Sequence, residues 1–387
     1  MIRFLIHSIW REAQLHLSIR MGGVCFARRS PRFQARTMLK RCIKWERVLA
    51  AALIAGACAL VVDRAGAASC RTESQVAAPE REALANSVHS LMRAVQSGDV
   101  QNLQANTIPQ VASDFGGIAS SVQTLKPLVQ PATITIYNLY FLDASTEPPN
   151  AQRTDFYCGT PVVVMNFNGL PPGTYAMAIV HATGVPQPQQ IALVLAKNAN
   201  RWMLAGFFAR PMLDAGHSGL WYWTTARAYA QKKMNWDAWF YYRMAANLLE
   251  PVDFLVSGNS QKLHRETDQV RPDNLPAQKA LQLTANGSTY EVTSIDTSSA
   301  LGSLDLEVNY NANAAQAGQL RDPPAARKQV LDVMTALLAL HPEIRDAFHG
   351  IWVHANQGQA SAFSLELPME QIAALPGPGS ISSSMAK

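Results

Sequence analysis

Two residues in the strand-rich part of this 387-residue chain, Asp143 and His181, are of the types that transfer protons in enzymes. A carboxylate and an imidazole that lie together in a pocket can act as acid and base once burial shifts their pKa values. Such a pair would suit an isomerase or a hydrolase that acts on a small molecule. The alternative is that both residues lie at strand ends and face water, and the sequence allows either arrangement.

A second candidate site is the aromatic run 220–251, LWYWTTARAYAQKKMNWDAWFYYRMAANLLEP. Exposed Trp and Tyr rings with an arginine nearby can stack on sugars or grip a peptide. The candidate binding residues are Trp221, Trp223, Trp236, Trp239, Tyr242 and Arg243. The same rings would also suit a buried seam between two domains. Exposure separates the two hypotheses, because a binding face leaves several neighbouring rings accessible.

The other motifs of catalytic or metal-binding proteins are missing from the sequence. It contains no nucleophile elbow, phosphate loop, dinucleotide fingerprint or zinc-protease helix. His341, His349 and His354 come closest to a histidine cluster, but the five-residue step between the last two fits neither a helix nor a strand. The sequence therefore predicts neither a metal site nor a cofactor.

The basic residues are concentrated at the start of the chain. Residues 1–68 hold 12 of the 33 Lys and Arg and only 3 of the 28 Asp and Glu. The remainder has 21 basic and 25 acidic side chains, a net charge of about −4. A folded part with this charge is not expected to bind nucleic acid.

The same leader, 1–68, ends in the features of a bacterial secretory signal. Lysines and arginines precede an uninterrupted apolar run at 48–62, and Ala65-Gly66-Ala67 is a small-residue cleavage pattern. This arrangement also indicates that translation begins at Met21 or Met38. The sequence predicts export to the periplasm or the cell envelope. A permanent membrane anchor is the alternative, although a spanning helix needs roughly 20 apolar residues.

Cysteine usage leaves two questions open. Cleavage after Ala67 or Ala68 leaves Cys70 and Cys158, and an even pair in an oxidising compartment favours one disulfide over two unpaired thiols. The residues before Cys58 and Cys70 also resemble bacterial lipoprotein cleavage boxes, but both lack the usual Leu three residues earlier. Lipidation at either cysteine is therefore the alternative to simple cleavage.

Between residues 77 and 212 the apolar spacing predicts two helices followed by five strands. The helices begin near Pro79 and near Val111, and the predicted strands are 132–142, 161–168, 174–182, 190–196 and 201–209. Short turns between strands favour antiparallel neighbours. This order of elements resembles the cone-shaped fold of the nuclear-transport-factor-two-like superfamily. That superfamily includes both enzymes and binding modules, so the resemblance implies a fold and no single function.

The aromatic run itself predicts a helical hairpin over 218–251, divided at Asn235. Its small and aromatic residues, including Ala226, Tyr229 and Ala238, match positions of a tetratricopeptide repeat, and the stretch resembles a single such hairpin. No second copy follows at the 34-residue spacing of that repeat. One unit cannot bury its own apolar face, so we expect it to pack on a neighbouring domain or on a partner.

The remaining chain predicts a polar linker at 252–285, a small α+β domain at 286–372 and a tail at 373–387 that is disordered by composition. The small domain has the order β–β–α–β–β. Its predicted elements are strands 289–295 and 304–310, a helix opened by Asp322-Pro323-Pro324, and strands 350–355 and 361–367.

Together these patterns predict an α+β protein with a curved antiparallel sheet, a central helical hairpin and a smaller second unit. We expect an exported, non-catalytic binding or interaction module of the bacterial cell envelope, whose partner is a protein, a peptide or a glycan. Contact with the membrane is expected only through the leader or a lipid anchor. The alternative is a small-molecule enzyme of isomerase or hydrolase type in residues 77–212.

Overall fold

A computed structural model describes residues 68–276 and 279–375 of the chain. The predicted leader, apart from its last residue, and the predicted tail from residue 376 onwards lie outside these ranges. In the described residues, ten α-helices and fifteen strands form an α+β fold, as the sequence predicts. None of the helices in this part of the chain is long and apolar enough to cross a membrane.

Four helices precede the first large sheet: α1 Ala78–Ser97, α2 Val100–Ala105, α3 Pro109–Ala112 and α4 Gly116–Val129. Helix α1 has Pro79 in its first turn and ends at Gly98, which adopts the left-handed conformation (φ 71°) common after helix ends. Its apolar face is buried as predicted. The second predicted helix is divided in two, because α3 ends at Ala112 and α4 begins only at Gly116.

The first sheet has the order β1-β2-β5-β6-β7, with every neighbouring pair antiparallel. The strands of this part are β1 Ser69–Thr72, β2 Thr133–Asp143, β3 Arg153–Cys158, β4 Val163–Asn168, β5 Thr174–Thr183, β6 Gln189–Asn198 and β7 Arg201–Pro211. Strands β3 and β4 belong to a separate small sheet with β10 (Leu255–Val256), in the order β10-β4-β3. The sequence did not predict β1 or β3.

The central strands β5 and β6 are buried on both faces, which explains their nearly continuous apolar sequences. On one face, Ala178 and Val180 pack with the helices in a core that includes Val88 and Val122. On the other face, residues such as Met177 pack against the small β3–β4 sheet. The sheet is therefore covered by helices on one side and by a second sheet on the other.

A disulfide joins the large sheet to the small one. The sulfur atoms of Cys70 in β1 and Cys158 at the end of β3 lie 2.03 Å apart, and the two residues are 88 positions apart in the chain. Cys158 is fully buried in the core between the two sheets. The predicted pairing is confirmed.

The aromatic hairpin consists of α5 Gly219–Gln231 and α6 Asn235–Leu249, with the division at Asn235 as predicted. A two-residue ladder of β8 (Leu213–Asp214) and β9 (His217–Ser218) leads into α5. The segment predicted as a polar linker contains strand β10 and helix α7 (Gly258–Gln269), which packs against α6.

The C-terminal sheet has the order β11-β12-β13-β14-β15. Its elements are β11 Leu281–Ala285, β12 Ser288–Ser298, β13 Asp305–Asn311, α8 Ala314–Gln319, α9 Pro323–Leu340, β14 Gly350–Gln357, β15 Ala360–Pro368 and α10 Met369–Ala373. Strands β13 and β14 are parallel and are joined through α8 and α9, while the other pairs are antiparallel. Strand β11 extends the predicted β–β–α–β–β order by one strand.

The hairpin and the C-terminal sheet share one apolar core. Buried rings of the hairpin, among them Tyr222 and Phe240, belong to the same cluster as Val308 and Val353 of the sheet and Val333 of α9. This packing gives the hairpin the partner surface that a single helical pair requires.

Replacing both Cys70 and Cys158 by serine should lower the free energy of unfolding by up to about 4–5 kcal/mol, because the disulfide closes a loop of 88 residues in the unfolded chain. Urea unfolding of the oxidised protein and of the double variant measures this difference. Reduced wild-type protein is the control and should match the variant. Equal unfolding midpoints for oxidised wild type and variant would contradict the expectation.

Candidate functional site

Asp143 and His181 lie at opposite ends of the β2–β5 pair. His181 faces Thr135 near the start of β2, whereas Asp143 at the end of β2 faces Thr174. Seven residues of β5 separate His181 from Thr174, the partner of Asp143, a distance of about 23 Å at ~3.3 Å per residue. The predicted acid–base pair is therefore not formed.

Each member of this pair has other neighbours. Asp143 accepts a hydrogen bond from the backbone amide of Ser145 at 2.9 Å, and hydrogen bonding from Ser145 lowers the pKa of the Asp143 carboxyl. The His181 ring stacks on Tyr137 with 4.5 Å between the ring centres, and partial burial lowers its pKa. Neither residue is arranged as a proton donor or acceptor for the other.

The hairpin buries half of its predicted binding residues. Trp223, Trp236 and Tyr242 are buried, so most of each ring packs inside the protein. The indole nitrogen of Trp236 donates to Asn274 at 3.1 Å, so this ring is satisfied inside the protein. Trp239 is half-buried, and Trp221 is the most exposed of the four hairpin tryptophans, at 38%.

Two arginines cover ring faces of the hairpin. Arg227 lies 4.5 Å from the centre of the Trp223 ring and forms a salt bridge with Glu266 at 2.8 Å. Arg243, a predicted binding residue, lies 4.7 Å from the centre of the Trp239 ring and pairs with an aspartate of β12. Cation–π contacts of this kind occupy the ring faces that a sugar would need for stacking.

A groove of about 370 Å³ opens where the first large sheet, the hairpin and α7 meet. Its apolar lining residues are Tyr137, Leu220, Trp223, Leu249, Pro251, Leu255 and Leu263, and its polar ones are Glu250, Ser257, Asn259 and Ser260. Trp223 and Leu263 are buried, whereas Tyr137, Leu220 and Leu249 are exposed. The volume is within the range of small-ligand sites in proteins, ~300–1,000 Å³.

Two local backbone features build the apolar rim of this groove. The register of β2 shifts between Ile136 and Asn138, so Tyr137 is the extra residue of a β-bulge and its ring points to the surface. Gly219 allows the first turn of α5 to approach the end of α6, since a Cβ there would lie 2.6 Å from Cγ of Leu249. Leu220 follows immediately and lines the groove together with Leu249.

One half-buried acid lies in the groove. Glu250 follows α6, and burial raises the pKa of its carboxyl, while His264 and Arg210 act in the opposite direction. His264 Nε2 lies 2.8 Å from Oε1 of Glu250, and Arg210 donates to the Glu250 carbonyl oxygen at 2.9 Å. The groove thus combines an apolar rim with a half-buried carboxyl group that contacts His264.

Sequence reasoning missed most of this groove. It predicted Trp223 as a binding residue and placed Tyr137 among strand residues that could point into a pocket, but it did not single out Leu220 or Leu249. One trace of the bulge is in the register: the β2 residues that pack toward the helices are Ile134 and Ile136 before it, at even positions, and Leu139 and Phe141 after it, at odd positions. Elsewhere in the described residues, Asp305, His349 and Glu366 bring potential metal-ligand atoms within 4.8 Å of one another.

Comparison of the chain with protein-family models, curated protein sequences and solved structures gave no match.

The hairpin also contains a carboxyl group in an unusual setting. Asp237, in the first turn of α6, is fully buried, and neither of its oxygens has a hydrogen-bond partner among the described residues. Burial, with smaller contributions from Glu343 and Asp346, raises its pKa to about 7. Below about pH 7 the protonated form is therefore favoured in the folded protein.

The contribution of Asp237 to the free energy of unfolding should fall as the pH rises from about 4 to about 7. The folded state holds a proton on Asp237 over this range, while an unfolded aspartate has already lost it. The variant Asp237→Asn should lose this dependence, and its advantage over wild type should grow by about 2–4 kcal/mol between pH 4 and pH 8. Urea unfolding of wild type and of the Asp237→Asn variant at both pH values measures this change in stability. Asp114→Asn, at an exposed position, is the control variant. A constant difference between Asp237→Asn and wild type would contradict the prediction.

Proposed function

We propose that this chain is an exported, non-catalytic binding module of the bacterial cell envelope that holds an apolar segment of a polypeptide partner. The observation that carries the proposal is the groove beside the hairpin, where exposed Tyr137, Leu220 and Leu249 surround buried Trp223. Contiguous exposed apolar side chains around a concave surface are typical of interaction sites.

Two features support export. The leader carries a charged segment, the apolar run 48–62 and a small-residue cleavage pattern. The disulfide between Cys70 and Cys158 also fits an oxidising compartment, because disulfides are rare in proteins of the reducing cytosol.

A polypeptide suits the groove better than a glycan. Sugars stack on open aromatic faces, but Arg227 covers the face of Trp223 and Arg243 covers that of Trp239. The rim instead combines the aliphatic side chains of Leu220 and Leu249 with Tyr137, whose ring already stacks on His181, and this apolar rim fits apolar residues of a peptide. Ser257 and Asn259 can hydrogen-bond a peptide backbone, and Glu250 favours Lys or Arg next to the apolar residues.

The alternative of a small-molecule enzyme in residues 77–212 loses its support. It required an acid–base pair, and Asp143 and His181 lie at opposite ends of the β2–β5 pair. A binding role requires no such pair.

Random heptapeptides displayed on phage and selected on the purified protein should yield sequences with an apolar residue next to Lys or Arg. Leu220→Asp and Leu249→Asp should each weaken binding of selected peptides at least tenfold, about 1.4 kcal/mol, since a carboxylate would replace an apolar contact. Fluorescence anisotropy with labelled peptides measures the affinity.

Leu301→Asp and Leu340→Asp are matched controls outside the groove. Leu301 is 58% exposed and Leu220 60%, while Leu340 is 48% exposed and Leu249 40%. Both controls should bind the peptides as wild type does. Absence of enriched peptides, equal losses in the controls, or selective binding of envelope glycans in place of peptides would contradict the proposal.

Residues 38–68 should direct export on their own. Fused to alkaline phosphatase, they should give an active reporter in the periplasm of a Gram-negative host, because the enzyme needs an oxidising compartment for its disulfides. Replacing two apolar residues in 48–62 by Lys should keep the reporter inactive in the cytosol. Equal activity of the two fusions would contradict the predicted signal.

A further inference from the structure

Three ionisable side chains converge at one end of the C-terminal sheet, away from the groove. Asp305 is the first residue of β13, His349 immediately precedes β14, and Glu366 lies in β15. Because β13, β14 and β15 are neighbours in the sheet, residues far apart in the chain meet here. The backbone at His349 is fixed on both sides, since its amide donates to Leu304 and its carbonyl accepts from Met369, both at 2.8 Å.

The ligand atoms are close enough to share one ion. His349 Nδ1 lies 3.0 Å from Oδ1 of Asp305 and 3.9 Å from Oε1 of Glu366. An ion bound at 2.0–2.2 Å from each atom, the usual range for nitrogen and carboxylate oxygen on zinc, requires separations of this size. The cluster therefore needs little rearrangement to close around a metal.

Two details indicate a built site. Asp305 is buried, and Oε1 of Glu366 is buried without a hydrogen-bond partner among the described residues. Gly350 makes the approach possible, because a Cβ there would lie 2.5 Å from Glu366 Oε1 and 3.1 Å from Asp305 Oδ1. Two carboxylates held this close repel each other unless a cation lies between them.

The chemistry of the three groups selects a class of ion. One imidazole nitrogen suits zinc, iron, nickel or copper, and two carboxylates suit harder ions such as manganese, so the mixed set fits a divalent first-row transition metal. The two carboxylates and a neutral imidazole carry two negative charges, which such an ion neutralises. Magnesium is less suited, because it prefers oxygen ligands and retains water.

His349 also opens the cluster to the surface. It is half exposed and lines a pocket of about 210 Å³ together with His217, Trp221 and Ser303. Three protein ligands leave at least one coordination position for water or another small ligand, as in metal sites that are not purely structural.

We propose that Asp305, His349 and Glu366 form a binding site for a divalent transition-metal ion such as zinc, with an open position facing this pocket. The site lies on different elements from the peptide groove. Its test is therefore independent of the proposed function.

Isothermal titration calorimetry of the untagged, chelator-treated protein should show that one zinc ion binds per chain. The affinity for magnesium should be at least tenfold lower than that for zinc. His349→Gln and Glu366→Gln should each weaken zinc binding at least tenfold, because each removes one of three ligands. These two residues carry the test, since substituting the buried Asp305 could also disturb the fold. Circular dichroism and thermal unfolding without metal verify that both variants remain folded.

His354→Gln is the matched control. His354 lies in β14 near another carboxylate, with 3.7 Å between its Nε2 and Oε1 of Glu307, but it is outside the cluster. Zinc affinity should be unchanged in this variant. X-ray absorption should show one nitrogen and at least two oxygen ligands at about 2.0–2.2 Å. Absence of zinc binding, or wild-type affinity in either cluster variant, would overturn the proposal.

Discussion

The described fold depends most on the burial of one face of the α5–α6 hairpin against the C-terminal sheet. Helices of thirteen and fifteen residues are marginal alone in water. Fully burying a large apolar side chain contributes about 1.5–3 kcal/mol, and the hairpin buries Tyr222, Trp236, Phe240 and Tyr241 in a core shared with that sheet. Among the large apolar side chains of the hairpin, only Leu220, Trp221 and Leu249 are exposed, and two of these three line the proposed groove.

Much of the secondary structure could be predicted from local patterns. Pro and Gly mark the ends of α1, continuous apolar runs mark β5 and β6, and Asn235 marks the turn of the hairpin. Strand β3 was missed because its sequence RTDFYC is short and rich in polar residues, although Phe156 and Cys158 are buried. Strand β11 was missed for a similar reason, within a stretch whose composition is typical of a linker. The resemblances to the tetratricopeptide and nuclear-transport-factor-two-like folds stay predictions.

The sites were harder to predict than the elements, because they depend on register and on contacts between distant residues. Asp143 and His181 were suitable in type, but the antiparallel register of β2 and β5 separates them. His349 was dismissed as a metal ligand because spacing along the chain was compared only with other histidines. Its neighbours Asp305 and Glu366 come from two other strands, and the parallel pairing of β13 with β14 places Asp305 beside it. A sequence without known strand order contains no signal for that meeting.

Cys70 can either pair with Cys158 in a disulfide or carry a lipid, and the two modifications exclude each other. Its sulfur is bonded to Cys158, and a sulfur in a disulfide cannot also form the thioether that attaches a lipid. A form lipidated at Cys70 would lack the link between β1 and β3 and would leave Cys158 as a free thiol in the core. The disulfide-bonded protein therefore cannot carry a lipid on Cys70.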